Sequence, residues 1–293
     1  MSTTPFYIPQ TDPPRSPRET LPTMYDLPSE DPEEPGLPDE FHDHQPELLS
    51  LTLRLADYAD DNFFTGKDLN LYYDVRYPKW YKRPDWFLSV GVPRLFDNRD
   101  MRLSYVVWQE GVNPFVVVEL LSPGTQKEDL GETEPRSDAP PNKWTVYEKI
   151  LRVPYYILFD RYTDNFRAFK LNAGHYEELD VTAGRLWLPE LKVGLGLWQG
   201  CYKQIERLWI RWYDEAGNWF PTPSEQAALA QQQAQQEQQR ADMAQQQAQQ
   251  EQQRADMAQQ QTVREQRRAD AAEAELARLR NLLKGKGIDS GEL

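Results

Sequence analysis

Glu119 stands near the end of a strand-length, otherwise apolar run, Phe115-Val116-Val117-Val118-Glu119-Leu120-Leu121. Such continuous apolar character implies burial on both faces, and strand alternation puts Phe115, Val117, Glu119 and Leu121 on one of them. A carboxylate in that position is costly unless a cation or hydrogen bond at the strand end satisfies it, or a metal does. Asp85 follows Arg83-Pro84 and opens Trp86-Phe87-Leu88, a second strand candidate. Alone, an aspartate after proline is an ordinary turn feature. Together, two carboxylates at the ends of neighbouring strands can hold one hard divalent cation, with water and phosphate oxygens completing its shell. Phosphodiester hydrolysis also gains from a cation near the attacking water or the scissile phosphate. Lys143 is the candidate, at the start of the helix expected after Glu119, with Lys127 and Lys149 as rivals. The alternative for any of these lysines is a solvated surface charge.

The elements that must position these groups read as α/β. Residues 40–55 contain a short helix candidate that enters the core. Strands are expected at Leu69–Tyr73, at Asp85–Gly91 and Ser104–Trp108 as parts of a meander, at Phe115–Leu121 and at Pro154–Asp160. Asn142–Leu151 carries Trp144, Tyr147, Ile150 and Leu151 at helical spacing. Phe166–Leu171 and His175–Leu179 read as a hairpin around Asn172–Gly174. Aromatic strands at Leu186–Leu197 and Glu206–Tyr213 finish the domain, and Pro221 and Pro223 mark its end.

Composition divides the chain at the same places. Residues 1–39 are an acidic, proline-rich arm expected to be largely irregular. Residues 40–220 form the α/β domain and contain all nine tryptophans. Residues 221–293 are a Gln/Ala-rich tail. The net charge of -14 is concentrated in residues 1–49, which hold eleven acidic and two basic side chains. The middle of the chain is nearly balanced and shows no basic stripe in sequence, so any patch for a polyanion must be made by folding. A single cysteine, Cys201, excludes an internal disulfide and a cysteine-based zinc site. No long apolar run or signal-like segment is present, so the expectation is a cytoplasmic protein with no membrane partner. His42, His44 and His175 suggest no metal set, and His42 and His44 read as surface residues of the entry segment. The Trp-rich region 198–219 reads as core rather than as a base-stacking platform.

The tail repeats AQQQAQQEQQRADM at 230–243 and 244–257, a period of two heptads. Its composition favours helix. A seven-residue series runs through Ala234, Ala241, Ala248, Ala255, Thr262, Ala269, Leu276 and Leu283. Alanine makes a thin coiled-coil seam, so the Leu276–Leu283 end is the better place for homo-oligomerisation, and a solvated helical linker is the alternative.

Four segments together resemble the Uma2 family of endonucleases, abundant in cyanobacteria. They are Arg83-Pro84-Asp85, Val117-Val118-Glu119-Leu120-Leu121-Ser122-Pro123, Lys143 with Tyr147, and Val153-Pro154-Tyr155-Tyr156-Ile157-Leu158-Phe159-Asp160. The resemblance covers residues 40–215. It implies a restriction-endonuclease-like fold, a mixed sheet core with flanking helices, and a PD-(D/E)XK-type site. By that resemblance Asp85 and Glu119 are the metal-binding acids, with a backbone carbonyl near Leu120, and Lys143 is the lysine displaced from the strand to the following helix. Asp129-Leu130-Gly131-Glu132 resembles the family's lead-in to that lysine, here separated from it by an insertion at Thr133–Pro141. An acidic residue of the first helix, Glu40 or Glu47, is expected to complete the site. The implied activity is Mg²⁺- or Mn²⁺-dependent hydrolysis of DNA by Asp85, Glu119 and Lys143. The other reading is a catalytically inactive nuclease fold that serves as an interaction protein and oligomerises through its C-terminal helix.

Overall fold

The computed structural model describes residues 12–13, 39–133 and 139–285. The chain forms two compact units, Met1–Pro223 and Ser224–Leu293. The arm expected at residues 1–39 lies almost wholly outside the described residues.

The first unit begins with helix α1 (Phe41–Thr52). Strands β1 (Phe63–Lys67), β2 (Leu71–Tyr72), β3 (Tyr81–Lys82), β4 (Trp86–Val90) and β5 (Tyr105–Val106) follow, then a single turn α2 (Val107–Glu110). Next come β6 (Val116–Leu120), the short helix α3 (Gln126–Asp129), and α4 (Lys143–Thr145), which runs directly into a π-helical turn at Val146–Ile150. The unit closes with β7 (Tyr155–Asp160), β8 (Asn165–Asn172), β9 (His175–Glu178), β10 (Arg185–Leu188), β11 (Val193–Tyr202) and β12 (Ile205–Tyr213).

The main sheet has the order β1-β4-β6-β7-β8-β9. Its central pair, β6 and β7, is parallel and the other pairs are antiparallel. All five residues of β6 are buried, as their apolar character requires. Val116, Val118 and Leu120 pack with α1 and with the sheet β10-β11-β12, around Trp86, Trp209 and Trp212. Val117 and Leu121 pack on the other face with Val146, Tyr147, Tyr156 and the small sheet β3-β2-β5. Helix α1 is fixed by amide pairing: Gln45 Nε2 donates to the Ile210 carbonyl at 2.7 Å, and Gln45 Oε1 accepts from the Ile210 N–H at 2.9 Å. The Trp212 indole N–H donates to the Leu49 carbonyl at 3.0 Å. A buried amide with both ends satisfied sets both the position and the rotation of the helix.

The expected α/β class with a mixed sheet is present, strands β1 and β3 were not expected, and three expected elements differ in detail. Ser104–Trp108 is not a meander strand beside β4. Only Tyr105 and Val106 are extended, paired in parallel with β2 in the small sheet, and the chain then coils into α2. Leu186–Leu197 is two strands, because the chain reverses between Leu188 and Val193. The helix expected at Asn142–Leu151 contains a widened turn, with the Leu151 N–H bonded to the Val146 carbonyl at 2.9 Å. The hairpin at β8–β9 turns through Ala173 and Gly174, both at positive φ, as a two-residue hairpin requires.

The described residues of the second unit lie in one helix, α5 (Pro223–Gly285). Among the described residues, no helix is long and apolar enough to cross a membrane.

Candidate active site

The register of β4 against β6 pairs Trp86 with Val118. Asp85, one residue before β4, therefore meets Glu119, one residue after Val118. The two acids are linked through the backbone. The Asp85 N–H donates to Glu119 Oε2 at 3.2 Å, and the Leu120 N–H donates to Asp85 Oδ2 at 2.6 Å. Glu119 is completely buried, whereas Asp85 is half-buried.

Lys143 arrives from the other layer. Asn142 caps its helix by accepting from the Thr145 N–H at 2.8 Å. Lys143 and Tyr147 stand four residues apart, on one side of the turn. They hold the two oxygens of Glu119: Lys143 Nζ donates to Oε2 at 2.9 Å and the Tyr147 hydroxyl donates to Oε1 at 2.8 Å. The π turn lies at this point, where widened turns recur at functional sites. Lys127 is exposed, and Lys149 bonds the Gly174 carbonyl and His175, so neither rival reaches the acids.

Asp129 is the fourth member. Its Oδ1 forms an ion pair with Lys143 Nζ at 2.9 Å, although no donor is aligned on that oxygen for a hydrogen bond. Its Oδ2 accepts from the Thr125 hydroxyl at 2.7 Å, and its own carbonyl accepts from the Tyr156 hydroxyl at 3.0 Å. The aspartate of the lead-in thus lies against Lys143 across the insertion, whose residues 134–138 are outside the described residues.

The cluster sets three carboxylates against one ammonium. Burial raises the Glu119 carboxyl well above its ordinary range, against the pull of Lys143, and raises Asp129 likewise. Burial opposes the charge on Lys143, but Asp129 and Glu119 outweigh it and hold the amine protonated well beyond its ordinary range. A bound divalent cation would offset the surplus negative charge. The donor chemistry fits such an ion. A carboxylate has about four lone-pair positions. Glu119 accepts three hydrogen bonds and Asp85 one through its side chain. Both can therefore add a hard cation without losing a partner. Among the described residues, no three His, Cys, Asp or Glu side chains form a ready-made metal cage. This donor set is that of an ion retaining water and substrate oxygens.

His42 supports the same strand end from the α1 side. It is 3% exposed, not a surface residue as its sequence context suggested, because α1 lays it against the end of β6. Its Nε2 faces the Leu120 carbonyl at 3.0 Å and its Nδ1 faces Asp39 Oδ1 at 2.9 Å. Both partners are acceptors, so the doubly protonated ring satisfies both. Burial works against that charge, but Asp39 and Asp85 raise the pKa. Glu40 bonds His44, and Glu47 bonds Tyr202 and Lys203, so the first-helix acids point elsewhere. Trp209 and Trp212 are core residues, as expected. Of the additional residues, Tyr147 was signalled by its spacing from Lys143. Asp39 and His42 had no sequence signal, because the role of His42 depends on a contact 78 residues away, and Asp39 acts through His42 and Arg161.

The Uma2 model, described as "Putative restriction endonuclease", matches residues 15–202. No curated protein matches the chain.

Proposed function

The chain belongs to the Uma2 family, and on that premise we propose that it is a divalent-metal-dependent endonuclease that hydrolyses phosphodiester bonds of DNA. Its fold is consistent with the restriction-endonuclease-like class, and that class generally uses divalent metals. The observation that carries the reading is the meeting of Asp85, Glu119 and Lys143 at one strand end, from three separate elements.

Asp85 and Glu119 would hold Mg²⁺ or Mn²⁺. The ion, when bound, would supply charge stabilisation at the scissile phosphate and a more acidic water. A water oxygen attacks phosphorus in line; the new phosphorus–oxygen bond forms as the bond to the leaving oxygen breaks, the water gives up a proton to solvent, and the leaving oxygen takes one from solvent. Lys143 is protonated and so is no base. Its ammonium donates one hydrogen bond to Glu119 and pairs with Asp129 by charge, which leaves N–H donors to position the water or a phosphate oxygen. Asp129 and Tyr147 position Lys143 and Glu119. We further assign the protein to the cytoplasm, and the leucines near the end of α5 to a contact between copies of the chain.

Nicking of supercoiled plasmid with Mg²⁺ or Mn²⁺ tests the assignment. Asp85→Ala and Glu119→Gln are expected to lower the rate by at least about 100-fold, the scale of losing a group that stabilises transition-state charge. Wild-type cleavage by a folded Asp85→Ala variant removes the assignment. The inactive-scaffold reading predicts no nicking by any variant and no Mn²⁺ binding that depends on Asp85.

A further inference from the structure

Two arginines beside the candidate active site are poorly matched by acids. Arg161 follows β7, whose parallel pairing sets Phe159 against Leu120, so Arg161 emerges at the same sheet end as Asp85 and Glu119. Arg207 comes from β12 and its Nη2 donates to the Arg161 carbonyl at 3.3 Å. Both guanidinium groups lie over the Phe41 ring, at 5.7 Å for Arg161 and 4.2 Å for Arg207. Arg161 meets one carboxylate, Asp39, at 2.6 Å, and His42 shares that carboxylate. Arg161 Nε is buried with no hydrogen-bond partner. Among the described residues, Arg207 makes no ion pair. Burial and then the nearby Arg161 charge lower its pKa, against weaker opposing effects of Asp164 and Asp39. The two guanidinium groups therefore have one contacting carboxylate between them, Asp39 on Arg161, and His42 bonds it as well; a contact chain joins Arg161 to the centre through Asp39, His42 and the Leu120 carbonyl.

We propose that Arg161 and Arg207 form a phosphodiester-binding site that holds the nucleic-acid strand beside the point of cleavage. The chemistry fits this ligand. Stacked guanidinium groups are weakly hydrated, remain charged, and match the planar, multi-oxygen geometry of phosphate. The sequence contains no basic stripe, so folding creates the patch by bringing β7 and β12 together. Such contacts fix the register of the strand without reading its sequence. The inference rests on nucleic acid being the substrate, but not on turnover.

Fluorescence anisotropy with two 20-base-pair duplexes of unrelated sequence, in EDTA and across a salt series, tests it. Arg207→Gln is expected to weaken binding about tenfold on both duplexes, as loss of a charged hydrogen bond does. The slope of log affinity against log salt is expected to fall by about 1. Arg207→Lys keeps the charge and is expected to keep most of the slope. Arg167→Gln removes a guanidinium already forked onto Glu178 at 2.7 and 3.0 Å, and is expected to change nothing. A wild-type slope in Arg207→Gln, equal loss in the lysine variant, or no duplex binding by wild type overturns the proposal. So does inorganic phosphate that quenches tryptophan fluorescence through Arg207 when duplex does not bind. Slope loss without any nicking keeps the phosphate site and removes the nuclease reading. Nicking with an unchanged slope does the reverse.

Discussion

Lys143 with Glu119, and Arg278 with Glu275, are both pairs of a basic side chain with a glutamate, in two settings. The first lies where strands and two helical segments converge, 2.9 Å apart, with side chains 11% and 0% exposed. The second lies on α5, 4.0 Å apart, with side chains 75% and 62% exposed. Water solvates both members of the tail pair before and after they meet, so such a pair contributes about 0–1 kcal/mol. At the strand ends no water replaces a lost partner, and removing one ion leaves the others exposed to a low dielectric. The distinction extends to whole regions. Each charge of the first unit's centre is defined by contacts from distant segments, whereas the tail's charges are defined by their place along one helix. A charge has structural weight here through the solvent it has lost, not through its identity.

The largest test removes the only ammonium of the centre. Lys143→Met leaves Glu119 and Asp129 buried without a cation. The expected loss is about 3–5 kcal/mol in urea unfolding at neutral pH. Acid should repair it. The folded pKa values of Glu119 and Asp129 lie above their ordinary values of 4.5 and 3.8. The folded state thus binds protons that the unfolded state has released. The contribution of these groups is fully present below the ordinary values and is lost as pH rises through the folded ones. The variant's deficit relative to wild type should therefore shrink as pH falls from neutral towards that ordinary range. Acids with lowered folded values, such as Asp39 and Glu47, lose their contribution in both proteins and cancel in the difference. A deficit under 1 kcal/mol, or one independent of pH, breaks the contrast between buried and exposed pairs.

A smaller change sharpens it. Tyr147→Phe removes the donor to Glu119 Oε1 and keeps the ring in the core. An unsatisfied buried oxygen costs about 1–3 kcal/mol. Because Tyr147 and Lys143 share Glu119, their losses should not add, and a double-mutant cycle should give a coupling of at least about 0.5 kcal/mol. Additive losses would mean that the two side chains act on Glu119 independently.

Legibility in the sequence follows the same division. The β6 run announced both its burial and the anomaly of Glu119, because five buried residues in a row tolerate few alternatives. The tail's helix was readable from composition and a 14-residue repeat, both local properties. Lys143 and Tyr147 could be paired by their spacing, and Asp129 was suggested by the family's lead-in. Their meeting at Glu119 depends on how α4 folds over the sheet, which no spacing encodes. His42 was misread for the same reason: an Asp-rich segment with two histidines reads as solvated until Gln45 and Leu49 anchor α1 to β12. Short strands such as β3 escaped notice because two residues offer no period to detect.

The last test should leave the first unit untouched. In α5, Leu276, Leu279 and Leu282 are each about half exposed, at 54%, 49% and 55%. A leucine contributes about 1.5–3 kcal/mol only when fully buried, so these side chains reach that value only against another chain. Leu276→Gln with Leu283→Gln preserves helix propensity and removes the seam. If the seam joins copies, light scattering will show a fall in mass to that of one chain. All nine tryptophans precede the tail, so their fluorescence reports unfolding of the first unit alone. That transition should move by no more than about 0.5 kcal/mol, the usual scale for surface changes. An unchanged mass would make α5 a solvated helix. A shift of several kcal/mol would instead show that the tail's side chains bear on the first unit's stability, and the two regions would no longer differ in the way their ion pairs suggest.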